Sequence, residues 1–408
     1  MTDVQVADPV SPVQISAKKK LVFIVAGLVF SILLLLCLGE VTLRFLALFS
    51  TSYRSSPFRR YDPVLGIAEI PDKKVIHERG CFKGEININR WAMRDREREL
   101  QKSPGVFRIA LLGDSLVEGP QVKANDVMNI RMEQLLQQKG RNVEVLNFGV
   151  EGIGTTQEYL MYREQVRQFH PDLIILAFVA NDVMNNSSTL QPKCYGIHTW
   201  YCPYYNLSPT GDLVLQPVQT RYFNTLRSYL EEHSLLTYYF ERSWARFVNY
   251  TPNTWDGIYL AWQVYSDQPT PEWDRAWLVT EKVFERLKSD VQQDGSKLVI
   301  LAPPQLYETD LNWSAWFPKE EGKIPATFNA HVYNQRLSEV AGQSHVPLEF
   351  LAPYFQNYRD AHKLQPPYFS LPCDHHYSAL GHEVAAEAMV QKLEEGEWLP
   401  PVAGPFQQ

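Results

Sequence analysis

The feature that most limits the folds open to this chain is an alternation that begins at Phe107 and persists to Leu393. Short apolar runs at Phe107–Leu112 (FRIALL), Val143–Phe148 (VEVLNF), Leu173–Val179 (LIILAFV), Lys297–Ala302 (KLVILA) and Leu348–Leu351 read as buried strands. Helix patterns lie between them. Met128, Met132, Leu135 and Leu136 share one helical face, and Gly140 stands where a helix stops. Thr155-Thr-Gln-Glu158 fits a capping box opening a helix to about Phe169. Val279, Val283, Leu287 and Val291 mark another helix, ended by Gly295. A further helix is expected over Phe328–Ala341, and a last one over Ala379–Leu393 with Ser378 as its cap. Strands alternating with helices predict an α/β fold with a parallel sheet covered on both faces. Ligands of such sheets bind beyond the carboxyl ends of the strands.

The N-terminus obeys different rules. Leu21–Gly39 is an uncharged stretch, apolar but for Ser31 and close to the roughly 20 residues a membrane-spanning helix needs. A cleaved signal peptide would have a shorter apolar region, about 7–15 residues. The expected order is a cytoplasmic tail over 1–20, a transmembrane anchor over 21–48, a connecting region over 49–105, the globular domain over 106–396 and a tail over 397–408. Lys18, Lys19 and Lys20 precede the span, while Arg44, Arg54, Arg59 and Arg60 follow it, so basic residues alone do not set the orientation. The lysines abut the span directly. They favour an N-terminus inside and a single-pass protein with its catalytic domain on the periplasmic or extracellular side. Of the cysteines outside the span, Cys194 and Cys202 bracket a short loop that a disulfide could close in an oxidising compartment.

Residues 183–275 break the alternation. They are rich in aromatics, among them Trp200, Tyr204, Tyr205, Tyr239, Trp244, Trp262 and Trp273. The stretch reads as a cap inserted beside the site, either a stacking surface for sugar rings or acyl chains, or a satellite core.

The chemistry-bearing motif is Gly113-Asp114-Ser115-Leu116, directly after the first strand. Serine there sits at the carboxyl edge of the sheet but needs a base to become a nucleophile. Asp374-His375-His376 lies just before the last helix. Residues two apart in an extended chain point to one side, so Asp374 can orient His376 as the base, with His375 facing away. Such a base implies a rate that falls below the histidine reference value of about 6.5. His382, one turn into the last helix, reads as a packing residue. The glycines of Asn147-Phe-Gly149-Val-Glu-Gly152-Ile-Gly154 and the amide of Asn181 in Val179-Ala-Asn-Asp182 can supply oxyanion donors from Gly152, Asn181 and the Ser115 backbone.

Taken in order, these four blocks resemble those of the SGNH/GDSL hydrolase family over about residues 107–395. The resemblance implies a three-layer α/β/α sandwich with Ser115 as nucleophile, Gly152 and Asn181 as oxyanion donors, and His376 as base assisted by Asp374. Val179 stands where the third block commonly has glycine, and D-x-H replaces the commoner D-x-x-H. The D-x-H form and the segment Ile88–Asp95 resemble membrane-anchored members related to polysaccharide acetyl esterases and O-acetyltransferases. The implied activity is hydrolysis of an acylated, in particular acetylated, surface glycan or lipid. An O-acyltransferase would use the same residues, and a glycan-binding protein without catalysis is the remaining alternative. No cofactor or metal is expected. A net charge of −7 argues against a nucleic-acid partner. Phosphate-loop, H-E-x-x-H and G-x-S-x-G motifs are absent.

Overall fold

The computed structural model describes residues 16–49, 58–79, 81–191, 202–218, 222–248, 261–311, 328–366, 368–373 and 376–401. The apolar stretch lies inside one continuous helix, α1 (Ala17–Phe49). It is long and apolar enough to cross a membrane, with a mean hydropathy of 3.2 and none of that window buried in the protein. The helix takes in Lys18, Lys19 and Lys20, so these lysines form its first turn rather than an irregular tail.

Residues 58–87, read from sequence as a connector, fold into two antiparallel hairpins. Strand β1 (Arg59–Asp62) pairs with β2 (Gly66–Glu69), and β3 (Lys74–Arg79) pairs with β4 (Phe82–Asn87). The coil that follows is packed, not loose. Arg98 is buried and donates to Asp95, Glu133 and the Val145 carbonyl, which seats residues 95–98 on the domain.

The domain then winds through β5 (Phe107–Gly113), the single turn α2 (Ser115–Glu118), α3 (Met128–Gln138), β6 (Val143–Gly149), α4 (Thr155–Glu164), β7 (Leu173–Leu176) and α5 (Ala180–Asn185). The α4 start differs from expectation by one residue. Gly154 is the cap, and Gln157 rather than Glu158 reaches back to the Gly154 N–H at 3.0 Å. The stretch expected as a cap contains a hairpin, β8 (Tyr204–Leu207) with β9 (Leu213–Gln216), and two helices, α6 (Tyr222–His233) and α7 (Leu235–Val248). Of its aromatics, Tyr204, Tyr205 and Trp273 are buried, Tyr205 and Trp273 within the main core. Trp200 lies outside the described residues. The chain closes with α8 (Pro271–Gln293), β10 (Lys297–Ala302), α9 (Ala330–Gln343), β11 (Leu348–Phe350), α10 (Ala352–Ala361) and α11 (Ala379–Glu395). Ser378 caps α11 by accepting from the Gly381 N–H.

The central sheet has the order β11-β10-β7-β5-β6, and every pairing is parallel. Alternate strand residues feed two cores, as the pleat requires. Ala110 and Leu112 of β5 and Ile174 and Leu176 of β7 face the core under α4, α8 and α9. Ile109, Leu111, Leu173 and Ile175 face the core under α3, α10 and α11. The result is an α/β/α sandwich. The strand order reverses direction at β5, so the crevice beyond the carboxyl ends of β5 and β7 is the topological switch point.

The cysteines pair differently from the local spacing. Cys81, after β3, is bonded to Cys373, 292 residues away, with the α-carbons 5.7 Å apart. Cys202 is a free thiol and takes no part in the expected bridge, and Cys194 lies outside the described residues. Cys202 sits against Tyr204 with its thiol pushed by burial up to about 11.

Candidate active site

Strand β5 delivers its chain to the switch point and turns at once into α2. The turn is held by Asp114, whose Oδ1 accepts from the Leu116 N–H at 2.9 Å. Ser115 is therefore the first residue of a helical turn, with its side chain at the sheet edge and 8% exposed. A close approach of β6 supports the turn. A β-carbon on Gly149 would overlap the backbone of Val117 and Glu118, so only glycine lets β6 end there.

The structure brings His376 to this serine. Its Nε2 lies 2.8 Å from Ser115 Oγ, across 261 residues of chain. Nε2 can accept the hydroxyl proton when the ring carries its own proton on Nδ1. Asp374 and His375 lie outside the described residues. The loop that bears them is fastened on one side by the Cys81–Cys373 disulfide and on the other by the bridge between Ser370 and Tyr377.

The two expected oxyanion donors flank the turn. Gly152 has φ +83, a left-handed conformation that glycine adopts without strain, and nothing lies within 4 Å of where its β-carbon would stand. Asn181 opens α5 and donates through Nδ2 to Asp114 Oδ2 at 2.9 Å. An amide nitrogen carries two hydrogens, so this bond orients Asn181 and uses only one of them. Asp114 thus fixes both the turn and the amide. Burial pushes its carboxyl up, opposed by the bonds from Leu116 and Asn181.

An ionic cluster behind Gly152 has no counterpart in the sequence reading. The Arg59 guanidinium of β1 donates to Glu118 through Nη2 at 2.6 and 2.8 Å, to Glu151 through Nη1 at 2.7 Å, and to Glu69 through Nε at 3.1 Å. Glu118 in turn accepts from the Glu151 N–H at 2.6 Å. Glu118 is the last residue of the serine turn and Glu151 precedes Gly152, so this carboxylate holds both sides of the site together. Arg94 completes the frame by donating to the carbonyls of Glu118 and Val122. Burial brings Arg94 down to about 10, partly countered by Glu118 and Glu69. Burial and the neighbouring Glu118 push Glu69 well above the ordinary carboxyl range. The only hint in the sequence was a glutamate three residues after Ser115.

A second buried group lies beneath the site. Glu158 of α4 and Asp182 of α5 are fully buried, and burial pushes both carboxyls well above their ordinary values, helped by the charge of Asp114 at Glu158 and of Glu158 and Asp114 at Asp182. Asp182 Oδ2 accepts from the Val179 N–H at 2.9 Å, which shapes the turn presenting Asn181. The folded chain holds protons that the unfolded chain releases once pH passes the ordinary carboxyl values of 4.5 and 3.8. Stability therefore falls as pH rises above that range, by up to about 1.4 kcal/mol per pH unit for each proton held, until the folded groups ionise. Thermal unfolding of Glu158→Gln between about pH 5 and pH 8 should show a flatter decline than the parent. Equal slopes would contradict a protonated Glu158. His382 behaves oppositely. It is buried, its ring edge-on to Tyr377, and burial holds it at about 3, so it stays neutral and packs.

A serine hydroxyl within hydrogen-bond reach of a histidine, at the switch point of a parallel sheet, is the arrangement a serine-type carboxylic-ester hydrolase requires. Residues 111–234 match the model of the GDSL-like lipase/acylhydrolase family. The chain thus carries a GDSL-like lipase/acylhydrolase domain, the domain of the SGNH/GDSL carboxylic-ester hydrolases. In sequence, no curated protein matches it. Among solved structures, an acetyl xylan esterase is 13% identical, with 70% of this chain and 100% of that chain covered at a TM-score of 0.36. A lipase/acylhydrolase from Enterococcus faecalis is 13% identical over 73% of this chain and all of its own, with a TM-score of 0.36. A catalytic mutant of an acetylxylan esterase from Geobacillus stearothermophilus is 12% identical over 75% and 100%, with a TM-score of 0.38. Similarities this low add nothing to the assignment.

Proposed function

We propose that the protein removes acyl groups, acetyl in particular, from a glycan or lipid at a membrane surface through an acyl-enzyme on Ser115. The observation that carries this reading is the 2.8 Å contact between Ser115 Oγ and His376 Nε2. In the first step Oγ attacks the ester carbon while its proton passes to Nε2. The tetrahedral oxygen takes its negative charge among the N–H groups of Ser115 and Gly152 and the free N–H of Asn181. Collapse breaks the ester bond, and the departing alcohol takes the proton from Nε2. Water then attacks the acyl-enzyme with its proton going to His376, and the free acid leaves with Ser115 restored. Asp374 is assigned the Nδ1 side of the ring, where a carboxylate stabilises the imidazolium. Each oxyanion donor is worth about 10²–10³ in rate, so Asn181→Ala should lower kcat by that factor with little change in KM. A loss below threefold would remove Asn181 from the donor set.

Helix α1 is read as a single-pass anchor with the catalytic domain outside the cytoplasm. The disulfide between Cys81 and Cys373 supports that side, because such bonds persist in oxidising compartments. A sugar hydroxyl in place of water would make the same residues an O-acyltransferase. Supplying the purified chain with an acetyl donor and candidate glycans separates the two. Free acetate as the sole product supports the hydrolase, and an acetylated sugar replaces it with the transferase.

A further inference from the structure

The first charge after the apolar stretch of α1 is Glu40. It does not face solvent alone. Its carboxylate accepts from the N–H groups of Leu235 and Leu236 at 3.2 and 2.9 Å and from Ser234 Oγ at 2.9 Å, which caps the N-terminus of α7. Arg44, one turn on, donates to Glu40 at 2.7 Å and to the His233 carbonyl, the last of α6, at 2.8 Å. One acid and one base of α1 thus satisfy the end of one helix and the start of the next. Below them, the Leu236 methyls lie 3.5 Å from where a β-carbon on Gly39 would stand. The α6–α7 hairpin is therefore fixed to α1 at the point where its uncharged surface ends.

The hairpin also exposes apolar surface. Leu226, Tyr229 and Leu230 of α6 are 55%, 58% and 42% exposed, and their spacing of three and four places them on one helical face. Phe240 of α7 is exposed as well, as are Val41 and Phe45 of α1. An apolar patch of this kind marks a surface that is covered in use.

We propose that the α6–α7 hairpin lies in the headgroup and upper acyl region of the lipid bilayer that α1 crosses. The occupant is lipid, because the hairpin exposes apolar side chains and the clamp holds it level with the end of the uncharged stretch of α1. A helix lying flat at that depth buries its apolar face about 5–10 Å into the boundary, and tyrosine suits the headgroup level. Since α6 also packs on β1, the strand bearing Arg59, the hairpin connects this boundary to the site. The proposal rests on the reading of α1 as an anchor.

The test uses the full chain with Cys37, Cys194 and Cys202 replaced by serine, leaving the Cys81–Cys373 bridge intact. Single cysteines are introduced as Leu226→Cys, Leu230→Cys, Leu28→Cys within α1 and Gln292→Cys on the domain, and each carries a fluorophore. The protein is placed in vesicles of phosphatidylcholine and phosphatidylglycerol, with bromine near the top of the phosphatidylcholine chains. Loss of fluorescence at Leu226, Leu230 and Leu28, with none at Gln292, is the expected result. Quenching at Leu28 without quenching at Leu226 and Leu230 overturns the proposal and leaves the anchor standing. No quenching at Leu28 overturns the anchor and the proposal together. Labels at Leu226 and Leu230 that are shielded from aqueous iodide yet untouched by bromine mark a second protein copy, and also overturn it.

Discussion

Ser115→Ala is expected to lower kcat for a small acetyl ester by on the order of 10⁴–10⁶, leaving only what oxyanion donors and binding can supply. The hydroxyl is the only part of Ser115 that touches His376, and the turn is held by Asp114, so the variant should fold with an unchanged circular dichroism spectrum. His376→Ala should cost a comparable factor. The double variant should be no worse than either single one, because the two groups act as a unit. His375→Ala should be mild. Turnover retained by Ser115→Ala would end the nucleophile assignment, and a damaging His375→Ala beside a harmless His376→Ala would transfer the base.

The second large effect concerns stability. Arg59→Met should cost about 3–5 kcal/mol, the usual consequence of stranding a buried charge by removing its partner. Three carboxyls converge on this guanidinium, and those of Glu69 and Glu118 have no solvent exposure. Lysine should rescue little, since one ammonium cannot reproduce a planar fork that reaches all three. Adding Glu118→Gln to Arg59→Met should recover part of the loss. Urea unfolding of the four proteins measures the coupling directly, and additive changes would show that the pair does not interact. The same variants should lower kcat, because Glu118 holds the Glu151 N–H next to Gly152.

The central sheet was legible because its strands other than the edge strand β11 are buried on both faces, which produces continuous apolar runs such as FRIALL and LIIL. The serine turn was legible because its chemistry is local to four residues. The hairpins at 59–87 were not. Their strands are short, and RRYD and KVIHER carry charge on half or more of their positions. The Arg59 cluster was hidden for another reason. It joins residues 59 and 118 through space, and neither position has a periodic neighbour that marks it as buried. The cysteines misled because short spacing suggested a local bridge at Cys194 and Cys202, whereas folding brought Cys81 to Cys373. The start of α4 was misplaced by one residue because Gln157 and Glu158 can each reach back, and only the backbone path decides which does.

The pairing of Cys81 with Cys373 also sets an order of events during biosynthesis. Cys81 emerges 292 residues before its partner, an interval of about 15–60 s at a synthesis rate of about 5–20 residues per second. For most of that interval the segments of β5, the Ser115 turn and β6 have been synthesised, while the loop carrying His376 has not been made. A nascent chain thus carries Ser115 without its base, and the loop bearing the base is fastened only once Cys373 has been made and joined to Cys81. Under the proposed roles of Ser115 and His376, esterase activity would then begin only with completion of the chain and closure of this disulfide.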